Sequence, residues 1–126
     1  MFRINGDKSI NVTRGDVAEF YVVADVDGSA YIFNDNDIIR IKVFEKKDCN
    51  SVVLQKDFPA IAGEEKVDIL LTSEDTSIGE IISKPTDYWY EIELNPLTNP
   101  HTIIGYDEDG AKIFRLYPEG GELKEG

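Results

Sequence analysis

The sequence predicts an all-β fold, an antiparallel sandwich or barrel of about seven or eight short strands with one short helical turn. Three observations lead to this prediction. Apolar and polar residues alternate in several runs with the period of two that is expected of half-buried strands. Clusters of Asp, Asn, Gly and Pro, which are typical of turns, separate those runs. No apolar stripe is long enough for a helix of several turns.

The strands follow from the alternation pattern. The clearest is Ile38 to Phe44, in which three apolar residues face one side and Arg40 and Lys42 face the other. The same pattern predicts strands at Val17 to Ala24, Ser51 to Phe58, Lys66 to Leu71, Asp87 to Leu94, Thr102 to Tyr106 and Lys112 to Tyr117, with a weaker candidate at Ser9 to Thr13. Residues 107–110, Asp-Glu-Asp-Gly, predict a hairpin between the last two strands, and Gly105 predicts a bulge or a close backbone approach.

A helical turn is predicted directly after Leu71. Thr72 and Asp75 have the spacing of a capping box. In immunoglobulin-like sandwiches, a helical turn crosses between the sheets at such a place, and a tyrosine near the start of the next strand bonds back to the crossing backbone. Tyr88 is a candidate for that tyrosine, and the alternative is a core aromatic with its hydroxyl at the rim. We therefore expect an antiparallel immunoglobulin-like β-sandwich over residues 1–118, followed by a flexible tail at 119–126.

Composition limits the classes of partner. The chain has 126 residues, of which 41% are hydrophobic, so one domain with a substantial core is expected. Asp and Glu number 25 against 13 Lys and Arg, so the formal net charge is −12. Nucleic acids and anionic membranes both bind positive surfaces, so neither is an expected partner. Residues 1–7 lack the apolar run of a signal peptide, so we expect synthesis in the cytoplasm.

Candidate catalytic residues are few. The sequence has one histidine, His101, and one cysteine, Cys49, so an internal disulfide is excluded. Cys49 lies in a charged loop whose lysines could lower the pKa of the thiol. A nucleophilic pair would require these two residues to meet in space, and no pattern predicts that. We expect no enzymatic activity and no cofactor.

Aspartate pairs occur in the turns at 25 and 27, 35 and 37, and 107 and 109. Aspartate is favoured in turns because its side chain bonds to nearby backbone amides. None of the pairs has the spacing of the twelve-residue calcium loop, so no strong metal site is expected. A calcium-dependent adhesion domain stays open as an alternative function.

Two short motifs lie near the N-terminus. Arg14-Gly15-Asp16 is the tripeptide displayed by integrin ligands, and Asn11-Val12-Thr13 fits the N-glycosylation pattern. Gly15 and Asp16 fall between two strand-like segments, where a turn is expected. Both functional interpretations require export of the protein. We therefore interpret the first motif as a turn and the second as part of a strand.

Three segments carry a resemblance to a known family. They are the strand, turn and strand around Arg14 to Ala24, the pair Leu71 to Thr76 and Tyr88 to Leu94, and the stretch from Thr102 to Gly121. The chain resembles the small immunoglobulin-like domains at the N-terminus of phage upper baseplate and tail-fibre proteins, found in prophages of Gram-positive bacteria. The connector from Ile78 to Asp87 is longer than in that family, and Asp87 stands where a glycine is usual.

The resemblance implies a non-enzymatic assembly module of a phage tail or baseplate, made in the bacterial host cytoplasm and present in the virion. Its partners would be other tail proteins or a second copy of itself. Trp89, Glu91 and Glu93 are the candidate interface residues, because tryptophan on a strand face that is otherwise acidic is typical of an interface anchor. Burial of Trp89 under the connector at 78–86 is the competing interpretation. A carbohydrate-binding module is a further alternative, although Tyr88 and Tyr90 should face away from Trp89.

Overall fold

The computed structural model describes residues 1–26, 28–48 and 51–119. These residues form strands and one helical turn, which confirms the predicted all-β class. In chain order the elements are β1 (Phe2–Ile4), β2 (Ile10–Thr13), β3 (Ala18–Val22), β4 (Asp25–Val26), β5 (Ser29–Ala30), β6 (Ile38–Phe44), β7 (Val52–Pro59), β8 (Val67–Leu71), α1 (Ser73–Thr76), β9 (Thr86–Leu94), β10 (His101–Ile104) and β11 (Lys112–Tyr117). Cys49 in the predicted charged loop, Asp27 of the first aspartate pair and residues 120–126 of the predicted tail lie outside the described residues.

Seven strands form one large sheet. Its order is β1-β2-β11-β9-β6-β7, and β10 pairs with β9 beyond the end of β11. The pairs are antiparallel except for β2 and β11, which run parallel with Leu116 opposite Val12. The prediction of a purely antiparallel arrangement is therefore wrong at this pair. The parallel pair joins segments about one hundred residues apart, and strand periodicity contains no information on such a pairing.

A small sheet packs against the large one. It consists of β3 and β8, with Phe20 opposite Ile69, and a separate short hairpin joins β4 and β5. Buried side chains from both sheets form one hydrophobic cluster that includes Ile69, Ile92 and Phe114. Burying one such side chain contributes about 1.5–3 kcal/mol relative to leaving it in water. We call the side of the large sheet that faces this cluster the inner face, and the opposite side the outer face.

The predicted hairpin at residues 107–110 is wrong, although the turn itself is present. Asp107 and Gly110 exchange backbone hydrogen bonds of 3.3 and 2.9 Å. However, β10 and β11 both run antiparallel to β9 and lie end to end along it, so they do not pair with each other. An Asp-Gly turn signal identifies a reversal but not the strand that each arm will meet. The strand β9 is long enough for both to pair with it, β10 along residues 92–94 and β11 along residues 86–90.

The predicted capping box is confirmed. The Thr72 hydroxyl accepts a hydrogen bond from the Asp75 amide at 3.2 Å, and the Asp75 carboxylate accepts one from the Thr72 amide at 2.8 Å. Lys56 extends from β7 and donates to Asp75 Oδ2 at 2.6 Å and to the Leu70 carbonyl at 3.1 Å. These contacts link the single helical turn to both sheets.

The Arg14-Gly15-Asp16 segment forms a turn, as predicted. Gly15 has φ = +87°, and the Asp16 amide donates to the Thr13 carbonyl at 2.9 Å. The Arg14 guanidinium donates to the carbonyls of Ile78 and Gly79 at 3.2 and 2.9 Å, while the Gly15 amide donates to Thr76 Oγ1 at 3.1 Å. The arginine is therefore bound to the connector after α1, where it stabilises the fold.

No helix within residues 1–26, 28–48 and 51–119 has the length and apolar character needed to span a membrane.

Candidate interaction face around Trp89

Strand β9 lies inside the large sheet. Residues 39–44 of β6 pair along one edge of β9, and β11 and β10 together pair along the other. From Trp89 to Leu94, β9 is therefore flanked by paired strands on both edges. A partner that contacts the candidate residues on this part of the strand must bind the outer face.

Side chains of β9 alternate as the sequence predicts. Tyr90, Ile92 and Leu94 are buried, each at most 2% exposed, and belong to the inner cluster. Trp89, Glu91 and Glu93 alternate with them and project from the outer face, where each is half-buried. The three candidate interface residues therefore lie on one face of one central strand.

Trp89 is part of an apolar row that crosses four strands of the outer face. Its cross-strand neighbours are Phe44 on β6 and Ile113 on β11, and Phe44 is in turn opposite Val52 on β7. Phe44 is only 4% exposed although it lies outside the inner cluster, and Val52 is 50% exposed. We call Val52, Phe44, Trp89 and Ile113 the apolar row. Alternation within the predicted strands could have identified Phe44 and Ile113, but only the register shows that they adjoin Trp89.

A charged layer lies beside the apolar row. Lys42 on β6 is opposite Glu91, and its Nζ lies 3.1 Å from Glu93 Oε1 and 3.9 Å from Glu91 Oε1. Glu93 Oε1 is shielded from solvent and makes no hydrogen bond of good geometry, so the ion pair with Lys42 is its main stabilising contact. One lysine thus serves two carboxylates.

The surplus of carboxylates affects Glu91. Burial, the nearby charge of Glu93 and a hydrogen bond to Glu93 raise the pKa of Glu91, and Lys42 only partly offsets them. A closely spaced carboxylate pair takes up a proton more readily than an isolated carboxylate. A basic or hydrogen-bonding group of a partner would relieve this repulsion.

Gly105 allows the backbone after β10 to pack closely against Glu91. The register of β10 shifts between Thr102 and Ile104, so a bulge precedes this glycine, as predicted. A Cβ atom at position 105 would lie 2.7 Å from Thr102 Cγ2 and 3.4 Å from Glu91 Cβ. The glycine therefore permits a close approach of the chain after β10 to the charged layer.

Two arginine pairs border this face. Arg40 donates to both carboxylate oxygens of Asp57 at 2.7 and 3.0 Å, and Arg115 does the same to Asp87 at 2.6 and 3.3 Å. The Arg40 guanidinium holds the pKa of Asp57 below its usual value. Such bidentate pairs at the surface stabilise by about 0.2–1 kcal/mol each and fix the orientation of the side chains.

The tyrosines of β9 face inward, away from Trp89. The three rings therefore do not share one platform for a sugar. The Tyr88 hydroxyl lies next to Gly79 of the connector, 3.1 Å from the position of a Cβ there, so it reaches the predicted place. Among the described residues, however, it has no hydrogen bond to the connector backbone. Tyr90 instead makes the long-range bond, donating to the Lys8 carbonyl.

Cys49 and Asp27 lie outside the described residues, and the other residues considered for catalysis and metal binding do not form a cluster. In the described ranges, no group of three or more His, Cys, Asp or Glu side chains is placed to hold a metal ion. His101 is exposed at the start of β10. Asp37 is 8% exposed and accepts hydrogen bonds from the Tyr31 hydroxyl, the Asn34 amide and Asn95 Nδ2, so its role is structural.

No protein-family model, curated protein or solved structure matches the chain. The function proposed below therefore rests on the sequence motifs and on the geometry of the outer face.

Proposed function

We propose that the protein is a non-enzymatic assembly module of a phage or prophage tail or baseplate, folded as an immunoglobulin-like β-sandwich. The sequence resemblance supports the family. A seven-stranded sheet that shares one hydrophobic cluster with the β3–β8 pair is compatible with a sandwich. In this proposal the protein acts by binding neighbouring tail proteins and is part of the virion.

The apolar row is the observation that carries the proposal. Four apolar side chains lie next to one another on four adjacent strands of an otherwise charged face, and Trp89, Ile113 and Val52 supply the accessible surface because Phe44 is only 4% exposed. Single exposed apolar residues are common on monomers, whereas several adjacent ones with a central tryptophan are typical of the buried core of an interface. The surrounding charges would form the polar rim.

The flanking charges favour a protein partner. Arg40 and Arg115 are neutralised by Asp57 and Asp87, so a partner that covers the face leaves no arginine unpaired. Among the described residues, Glu91 and Glu93 both form their ion pairs with Lys42. Arg40, which is paired with Asp57, lies close enough to Glu93 to interact with its charge. A partner that contributes one further cation at this point would complete the charge pairing, which favours a basic surface on the neighbouring tail protein.

Replacing Trp89 with Ala tests the proposal. The measurement is complex formation with the tail and baseplate proteins encoded next to this gene, followed by size-exclusion chromatography with light scattering. We expect affinity to fall by at least about tenfold, because a central tryptophan anchor is worth 2 kcal/mol or more. Tyr106→Ala is the matched control, since Tyr106 is 71% exposed and lies outside the apolar row.

The thermal stability of the same variants separates an interface from a core. We expect Trp89→Ala to lower the melting temperature by no more than roughly 5 °C. A much larger fall with assembly intact would assign Trp89 to the core and contradict the proposal. If Trp89→Ala abolishes both folding and assembly, Val52→Glu is the alternative test of the interface. Val52 is 50% exposed at the end of the apolar row, so the variant should still fold. Assembly unaffected by that charge would also contradict the proposal.

A further inference from the structure

Strand β3 has an open edge. Within the described residues, β3 pairs only with β8, from Ala18 opposite Leu71 to Val22 opposite Val67. In an antiparallel pair, every second residue directs its amide and carbonyl away from the partner strand. On β8, the Leu70 carbonyl accepts a hydrogen bond from Lys56. The open edge of β3 therefore presents backbone groups that another extended chain could bind.

A groove of about 630 Å³ lies along this open edge. Residues of both sheets line the groove, and its floor at Ile10, Tyr90 and Ile92 is at most 2% exposed. Its large-sheet wall is mainly apolar and also includes one lysine, Lys8; the other residues are Ile4, Ile10, Tyr90, Ile92, Ile103 and Ile104. Residues 19–23 form the other wall. Ile4, Tyr21 and Val23 are 42%, 59% and 43% exposed, so the rim contains accessible apolar surface.

The groove has the length of a short strand. A second depression lies beside Val23 and Ile103 and extends past His101 to Asp25. An extended segment that lies alongside residues 19–25 would be roughly 20 Å long at about 3.3 Å per residue. At the other end, the rings of Phe2 and Phe20 stack at 5.6 Å between centroids. The groove and the second depression together can therefore hold about six residues of extended backbone.

Charge determines which extended chain fits. The open side of the small sheet is acidic, with Glu19, Glu64 and Glu65 exposed near the rim. Of the two nearby cations, Lys66 is already placed over the Tyr21 ring, 5.2 Å from its centroid. The other, Lys8, lies on the large-sheet wall, across the groove from the acidic side of the small sheet. A second copy of this chain carries a formal charge of −12 and would bring its own Glu19 to the same edge. Like charges disfavour that pairing and favour a basic segment.

We propose that the open edge of β3 binds an extended segment of a partner protein in which apolar residues alternate with Lys or Arg. The segment would add a third strand to the small sheet, insert its apolar side chains into the groove and direct its basic side chains to the acidic rim. The groove lies on the inner side of β9 and the apolar row on the outer side. Peptide binding there goes beyond assembly through Trp89 and can fail or succeed separately from it.

Peptide titration tests this proposal. The probe is the labelled peptide Ac-KVKIRVKI-NH2, titrated with the full chain and followed by fluorescence anisotropy at about 0.15 M salt. We expect saturable binding. The same residues in the block order KKKRVIVI should bind at least about tenfold more weakly, since their apolar side chains cannot all face the groove. The acidic peptide EVEIEVEI should also bind at least about tenfold more weakly. Equal binding of the alternating and block peptides would overturn the proposal, because it would mean that the net charge of the peptide alone determines its affinity.

Two variants locate the binding site. Ile4→Lys places a charge in the groove and should weaken peptide binding by at least about tenfold. Ile81→Lys is the matched control, because Ile81 is 70% exposed and does not line the groove. Both side chains are exposed enough for the variants to fold, which circular dichroism would verify. Equal peptide affinity of the two variants would overturn the proposal.

Other occupants of the groove give different results. If the chain dimerises in sedimentation experiments and Ile4→Lys makes it monomeric, a second copy fills the groove and the proposal is wrong. If Leu123→Ser raises peptide affinity at least about tenfold, the C-terminal segment of the same chain is the occupant and the proposal is also wrong. A monomer whose peptide affinity is unaffected by Leu123→Ser supports a partner segment.

Discussion

Removing the Asp37 side chain should be the most informative test of how the large sheet is held together. Asp37 Oδ2 accepts hydrogen bonds from the Asn34 amide at 2.8 Å and from the Tyr31 hydroxyl at 2.9 Å. Its Oδ1 accepts one from Asn95 Nδ2 at 2.8 Å, and the Asn95 side-chain oxygen in turn receives the Ile38 amide. One carboxylate thus connects the loop before β6 with the end of β9.

The magnitude follows from the number of donors left without a partner. A hydrogen bond to a charged group contributes about 1.5–3 kcal/mol, but water can partly replace the lost carboxylate because Asn34 is exposed and Tyr31 and Asn95 are half-buried. We therefore expect the loss of three such bonds in Asp37→Ala to cost about 2–4 kcal/mol, less than their sum. For a chain of this length, that corresponds to a fall in melting temperature of roughly 10 °C.

The assay is thermal denaturation of the wild type, Asp37→Ala and Asp35→Ala as a function of pH. Asp35 is exposed in the same loop, so its replacement should change stability by no more than about 0.5 kcal/mol. Burial raises the pKa of Asp37, but the three hydrogen bonds outweigh it, so the folded-state pKa lies below the usual value. The stabilisation by Asp37 is then fully present above the unfolded pKa and is lost as pH falls through the folded one. Equal stability of Asp37→Ala and Asp35→Ala at pH 7 would show that the hydrogen bonds of Asp37 do not stabilise the fold.

Three further predictions follow from the outer face and the turn before β3, each measured by thermal denaturation. Gly105→Ala should cost about 1–2 kcal/mol, because the new methyl group forces Thr102 aside. Glu91→Gln should raise stability at pH 7 by up to about 1 kcal/mol. Because the pKa of Glu91 is raised in the folded protein, ionisation of this carboxyl group destabilises the fold as pH rises, and glutamine does not ionise. The gain should vanish below pH 4, and a gain that persists there would contradict the explanation. Arg14→Ala should cost about 1–2 kcal/mol through its lost bonds to Ile78 and Gly79, whereas replacement of the exposed Arg3 should have little effect.

Local patterns predicted local structure well. The runs Ile38 to Phe44 and Lys112 to Tyr117 are strands with the predicted bounds, and the Thr72 capping box begins the helical turn. These features depend on side-chain alternation and on hydrogen bonds between residues close in sequence. By contrast, β1, β4 and β5 have two or three residues each, which is too short for a recognisable period.

Long-range features could not be predicted in the same way. The sequence placed Trp89 on the outer face, but the apolar row depends on the register of four strands. Similarly, the groove is lined by residues of both sheets. Which strands pair is decided by packing across the whole domain, so neither feature follows from any single segment.

The composition of purified tail particles tests the central claim most directly. The central claim is that the protein is a structural component that binds other tail proteins through the apolar row. Tails would be purified from the host after induction of the phage or prophage, and their proteins quantified by mass spectrometry, with cryo-electron microscopy to locate this chain. We expect a fixed number of copies per tail, with density from another protein over Trp89. Complete, infectious tails that lack the protein would contradict it.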